Sequence, residues 1–331
     1  MRLHDPSYIY IMSKLLRFLK NWTLPVAIVA GAVSYLVYAR LPLFNPLRPY
    51  AASIVAVVQP LFLFAMLFLS FCKIDIRQLR PRLSHLWLIL FQCGAFVLLC
   101  LLVGFARLTP GVAVMIESAL LCLVCPTATA SSVVTQKLGG DTADVTMYLI
   151  LINLAVSLVI PLMLPLVSEV GHISFLSAGW SILTKVFPLL IGPLATAQLL
   201  RYVFPRLHRR VLAYSNSAFY LWAVSLALAI AVTTRSIVHT THPFIELAGI
   251  AAASLVCCIV QFAFGRWLGG RCGRRVSTSQ ALGQKNTVFV IWLGYTFLNP
   301  VTSLAGGFYS IWHNVYNTWQ LRQCAKRANR Q

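Results

Sequence analysis

The sequence predicts an all-α polytopic membrane protein: ten transmembrane helices in two inverted five-helix repeats, interrupted at spans four and nine. Three observations carry this prediction. The 331 residues are 59% hydrophobic and 10% charged, with mean hydropathy +0.79, whereas a soluble domain carries about 25% charge. The Lys and Arg behind the net charge of +20 lie in short clusters between apolar runs. That arrangement orients a membrane protein; nucleic-acid binding would gather them on one soluble face. Finally, two polar passages break apolar territory, Cys125 to Asp141 (CPTATASSVVTQKLGGD) and Ala281 to Asn286 (ALGQKN).

A span needs about 20 apolar residues. Residues 9–20, with Lys14, Arg17 and Lys20, read as a basic amphipathic lead-in lying at the membrane interface. No cleavable signal peptide is expected, because Asp5 is present and no long apolar run precedes Trp22. The spans are expected at 22–39, 50–72, 86–106, 111–138, 143–167, 177–200, 212–233, 245–268, 277–298 and 301–320. They form one transporter domain: an N-terminal segment 1–21, a first repeat 22–167, a second repeat 177–320 and a cytoplasmic tail 321–331.

Charge tests this division. With the N-terminus inside, 21 of the 27 Lys and Arg fall on the inner side, in clusters such as Lys73, Arg77, Arg80 and Arg82 or Arg266, Arg271, Arg274 and Arg275. Arg40, Arg48, Arg107 and Arg235 fall outside, and Lys185 and Lys285 lie within spans. A missed or spurious span would scramble this pattern. Both termini are therefore expected in the cytoplasm, and the protein in the cell (inner) membrane. Five spans per repeat, an odd number, make the second repeat enter from the opposite side, as an inverted repeat requires.

The polar passages fall in spans four and nine, equivalent positions of the two repeats. An unsatisfied polar group in hydrocarbon costs several kcal/mol, so such passages persist only against protein or a wet cavity, where they usually hold a solute or ion. Pro126 removes a backbone donor from span four, and Gly283 loosens span nine. The competing structural reading is that Ser and Thr here merely bond their own helix or glue neighbours; the recurrence of the cluster in both halves weighs against it.

Other polar residues have plainer readings. Asn153 and Gln261 are expected to bond between helices, and Asp144 to cap span five. Glu117 reads as an interfacial or capping residue, or as one on a substrate path. Lys185 either draws anions inward or reaches for the interface. His239 and His242 are placed in a solvent-facing outer loop. The nine cysteines lie mostly inside apolar runs without metal-ligand spacing and behave as small hydrophobes. Catalysis would need a nucleophile with a positioned base. Ser131, Ser132 and Cys125 are available, but His313 in span ten is the one histidine assigned to membrane depth, and neither HExxH nor GxSxG occurs. An enzyme is not expected, and no cofactor is.

On these passages the chain resembles the bile acid:sodium symporter family, in its bacterial branch. Pro126, Thr129, Ser131, Thr135 and Gly140–Asp141 match the family's span-four pattern; Thr127 and Ala128 replace glycines, and Ser132 replaces an asparagine. In span nine Gly283 and Asn286 match a Glu-x-Gly-x-Gln-Asn pattern, with Ala281 for the glutamate and Lys285 for the glutamine. Gln92 in span three corresponds to a glutamine that helps hold an ion. The resemblance implies that spans four and nine cross near the midplane, that a core and a panel rock against each other, and that organic anions pass beside the crossing, bile-acid-like or small carboxylates among them. Its implied substrate and ion residues are Gln92, Thr129, Ser131, Ser132, Thr135, Gln284, Lys285 and Asn286.

The departures bear on coupling. Ala281 and Ser132 strip a carboxylate and an amide oxygen from the family's sodium cage, and its span-five hydroxyls fall near Val145 and Leu149, beside Thr146. Lys285 puts an ammonium where a cation would sit; at about 4 Å in a low-dielectric site it repels sodium by several kcal/mol. The sodium sites are thus expected to be degenerate, with Lys285 standing in for an ion and bonding unwound carbonyls and Gln92. A lysine taken out of water holds its proton less firmly, so transport would be proton-linked or uncoupled. The alternatives are a structural pairing of Lys285 with Asp141, Asp144 or Glu117, a sodium-coupled carrier, or a channel or receptor on the same fold. The expected partners are an organic anion, Na⁺ or H⁺, and the lipid bilayer, with no nucleic acid, in a monomer or weak homo-oligomer.

Overall fold

The computed structural model describes residues 23–167, 174–240 and 242–328. The lead-in expected at residues 9–20 lies outside them. Among the described residues the chain is helical nearly throughout, in thirteen α-helices: α1 (Thr23–Arg40), α2 (Ala51–Phe71), α3 (Leu83–Phe105), α4 (Pro110–Val124), α5 (Ser131–Lys137), α6 (Thr142–Met163), α7 (Phe175–Val203), α8 (Pro205–Ala213), α9 (Ala218–Val238), α10 (Phe244–Arg271), α11 (Arg275–Gly283), α12 (Thr287–Phe297) and α13 (Leu304–Ala328).

Among the described residues six helical stretches are long and apolar enough to cross a bilayer, from Pro42–Phe71 to Phe244–Arg271. Many of their large apolar side chains point outward: Leu61, Leu98, Leu162, Trp180 and Val256 are all exposed. By contrast, α11 is polar and yet buried at every position from Ser277 to Gly283. In water this distribution would be ruinous. In lipid it is the stable one, because acyl chains solvate Leu and Trp while hydroxyls and amides must find partners inside. The fold is that of a helical membrane protein.

The helices pack in two groups. In the first, α1 lies along α9, and α2 lies between α7 and α9; in the second, α3, α4, α6, α10, α11, α12 and α13 pack around the broken helices. The groups meet where α6 packs on α7 and where α9 packs on α12. Close approach between α10 and α11 has a visible cause. Thr278 Oγ1 donates to the Gly265 carbonyl (2.7 Å) and Ser279 Oγ to the Phe262 carbonyl (3.0 Å), and a Cβ on Gly265 would meet the Thr278 carbonyl and Ser279 Cα.

Several expectations are corrected. The stretch 111–138 is two helices, α4 and α5, and 277–298 is likewise α11 and α12. A separate helix, α8, precedes α9; it is short and strongly amphipathic, with Arg206, Arg209 and Arg210 on nine residues. Helix α3 begins at Leu83, three residues before the expected start of span three, so His85 falls in its first turn and is buried. Asp141, not Asp144, caps α6, accepting from the amides of Ala143 and Asp144. Asn153 bonds the Leu149 carbonyl of its own helix at 2.6 Å, not another helix. Gln261 does bond between helices, donating to the Cys122 carbonyl (3.3 Å) and the Tyr309 hydroxyl (3.1 Å).

Candidate functional site

Breaking a helix inside a membrane protein exposes carbonyls at one new end and amides at the other. Here the two breaks answer each other. The backbone at Thr127 pairs antiparallel with that at Lys285: the Asn286 amide donates to the Pro126 carbonyl (2.9 Å) and the Ala128 amide to the Gln284 carbonyl (3.1 Å). Thr127 Oγ1 adds a bond to the Ala281 carbonyl (2.6 Å), and Cys125 Sγ one to the Asn286 carbonyl (3.0 Å). Proline at 126 suits this, since a residue without an amide loses nothing by leaving the helix.

Side chains from outside the breaks take up the remaining carbonyls. Gln92 Nε2 donates to the carbonyls of Val124 (3.2 Å) and Cys125 (2.8 Å), at the end of α4. The Tyr309 hydroxyl donates to the Gly283 carbonyl (2.8 Å), at the end of α11. Asn286 caps α12, its Oδ1 accepting from the Phe289 amide (3.4 Å). Gly283 has no room for a side chain, because a Cβ there would run into the Phe262 ring.

Lys285 sits within this knot, 1% exposed. Its Nζ donates to Gln92 Oε1 (2.7 Å), an oxygen that also accepts from the Tyr148 hydroxyl (2.8 Å). One glutamine thus ties the carbonyl end of α4 to the ammonium. Two helix C-termini, those of α4 and α11, are directed at this point, and each carries roughly half a negative charge. That is the electrostatic environment in which a single positive charge is tolerated without a carboxylate.

Asp141 and Asp144 are engaged elsewhere. Arg82 lies 3.6 Å from Asp141 Oδ2 and 3.6 Å from Asp144 Oδ1, and His85 Nε2 is 3.0 Å from Asp144 Oδ1. His85 Nδ1 accepts from the Arg82 amide (3.2 Å), so Nε2 carries the proton that goes to Asp144. The Asp141 amide donates to Ser277 Oγ (2.8 Å), tying this cluster to the base of α11.

The remaining sequence-nominated residues divide. Ser131 and Thr135 are fully buried on α5, with Oγ and Oγ1 lacking a hydrogen-bond partner among the described residues. Ser132 Oγ bonds Thr146 Oγ1 (3.0 Å), so the hydroxyl beside Val145 is the one used. Gln284 donates to Gln280, which donates in turn to Gln320 (2.6 Å). Thr129 is half-buried in the turn before α5. Lys185 is exposed, with Nζ 5.3 Å from the Phe297 ring centroid. His239, placed in a solvent-facing loop, is exposed yet holds the Tyr35 hydroxyl at 2.8 Å.

Sequence reasoning missed Tyr148, Tyr309 and His85, and read Thr127 only as the replacement for a glycine. Tyr148 and Tyr309 are uninterpretable alone, since aromatic residues abound in apolar spans; their signal is a buried hydroxyl, visible only once the breaks need donors. No family model and no characterised protein sequence matches the chain.

Proposed function

We propose that this protein is a secondary transporter of organic anions in the cell membrane. It would work by alternating access, with ten spans in two inverted repeats, and Lys285 in the place a coupling sodium ion would take. The observation that carries the reading is Lys285 itself, buried at the paired breaks with its ammonium on Gln92. Such breaks are costly unless they serve a solute or ion. The resemblance to bile acid:sodium symporters supplies the cargo class, and the two helix groups, meeting through α6–α7 and α9–α12, are suited to rocking as panel and core. With a fixed cation at the crossing, uptake would be sodium-independent, and either proton-linked or uncoupled.

The test is uptake of taurocholate and pantoate into liposomes holding the purified protein, with sodium replaced by potassium or choline. Saturable uptake that persists without sodium and shows counterflow is expected. Uptake that vanishes without sodium overturns the role given to Lys285, and ohmic current without counterflow overturns the carrier.

A sodium-coupled carrier is the second reading, and one observation favours it. The partnerless hydroxyls of Ser131 and Thr135 are oxygen donors of the kind a hard cation takes. Sodium would then bind on the α5 side of the crossing, away from Lys285, and Ser131→Ala would abolish sodium stimulation.

A further inference from the structure

We propose a second organic-anion site, in the cavity where α1, the turn at Pro42–Tyr50, α2 and α9 meet the end of α12. The cavity encloses about 560 Å³, within the range of sites that take small organic molecules. Its walls pair an apolar body with a cationic head. Tyr35, Tyr38 and Tyr295 supply aromatic surface, and Arg48, Arg235 and His239 supply donors. Ala51, Ala52 and Ala231 keep it open. A smaller cavity of about 340 Å³ shares Arg235, His239 and Tyr295 with it, so the head region is reached from two sides.

The charge is unbalanced. Among the described residues no Asp or Glu lines the larger cavity. Among the described residues no carboxylate pairs with Arg48 or Arg235; the nearby Glu246 is engaged by His242. Arg48 Nη2 donates to the Ala39 carbonyl (2.7 Å), which fixes its side chain at the rim. Arg235 makes one long bond, Nη1 to the Tyr295 hydroxyl at 3.4 Å. A guanidinium has five donors in a planar fork that matches a carboxylate or sulfonate, so most of Arg235 is available to such a head. A flat ring system would lie between the tyrosines, as aromatic walls favour. The occupant is therefore an aryl or alicyclic monoanion.

Position gives the site a mechanical link to the crossing. Tyr295 stands on α12, which starts at Thr287, directly after Lys285 and Asn286. Eight residue steps of helix place it about 12 Å from the start of α12 on one rigid rod. A ligand held between α9 and Tyr295 would bridge the two helix groups. The cargo class rests on the carrier reading, but the site is read from its own walls.

Equilibrium binding tests it independently of transport. Naphthalene-2-sulfonate, with neutral naphthalene-2-sulfonamide beside it, is titrated by calorimetry into the protein in lipid nanodiscs. Saturable one-to-one binding of the sulfonate is expected, weakened about tenfold or more in Arg235→Gln and in Arg48→Gln. The exposed Arg107→Gln should leave it unchanged, and the sulfonamide should bind at least about tenfold more weakly. Equal affinity for the sulfonamide, no saturable binding, or native affinity in both arginine variants would overturn the site. Intact binding with failed taurocholate uptake would sink the carrier reading and leave this site standing.

Discussion

At the residue scale, Lys285 and Gln92 set the terms. Burying an isolated ammonium costs several kcal/mol even after relaxation, while its one charge-assisted hydrogen bond returns about 1.5–3 kcal/mol. Unless the two helix ends make up the difference, the lysine is a net burden on stability, which the proposed site role would explain. Lys285→Met should raise the apparent melting temperature by several degrees, at about 2–4 °C per kcal/mol for a chain of this class, while uptake falls by an order of magnitude or more. A thermal-shift series beside liposome flux checks both; a fall in melting temperature would mean the lysine is structural. Gln92→Leu should do the opposite. It strands the Val124 and Cys125 carbonyls at about 1–3 kcal/mol each, so the protein should melt earlier whatever its transport rate.

At the element scale, the broken helices depend on a few short-range devices. Thr127→Val strands the Ala281 carbonyl and Gly283→Ala drives a methyl into the Phe262 ring; each should cost about 1–3 kcal/mol. A thermal melt unchanged by either substitution would show that its contact does not hold the crossing. The connection between α2 and α3, which lies between two candidate spans, carries a pH-sensitive contact. The Tyr202 hydroxyl bonds Asp75 (2.9 Å), and with the Arg77 amide and the Arg201 charge it holds the carboxyl below its ordinary range. A depressed carboxylate stabilises the fold above its unfolded value and stops doing so as pH falls through the folded one. Melting temperature should therefore drop below about pH 4, with a shallower slope in Tyr202→Phe.

For the whole molecule, the proposed alternating access would require α9 and α12 to separate and close, since the two helix groups touch there. Ser236 and Asn299 line the smaller cavity between them. With exposed Cys272 and half-buried Cys93 and Cys324 removed, Ser236→Cys and Asn299→Cys joined by a bifunctional maleimide should stop uptake. A monofunctional reagent should slow it far less. Uptake at full rate through the cross-link would exclude relative motion of these groups as the transport step.

Much of the architecture was legible before any coordinates, for physical reasons. Apolar length reports helices in lipid, because each must satisfy its own backbone. Pro126 and Gly283 mark the breaks, because each disables one element of helical bonding or packing. Lys285 stands out, because a charge among apolar residues needs a partner, and the partner it finds is Gln92. What tertiary structure alone decided is who answers whom. The pairing of Thr127 with Lys285, and the donation of Gln92, Tyr148 and Tyr309 into the breaks, joins residues up to 193 positions apart. Hydrogen-bond demand at a helix end is local and visible in sequence. The donor that meets it is chosen by packing, and nothing along the chain records that choice.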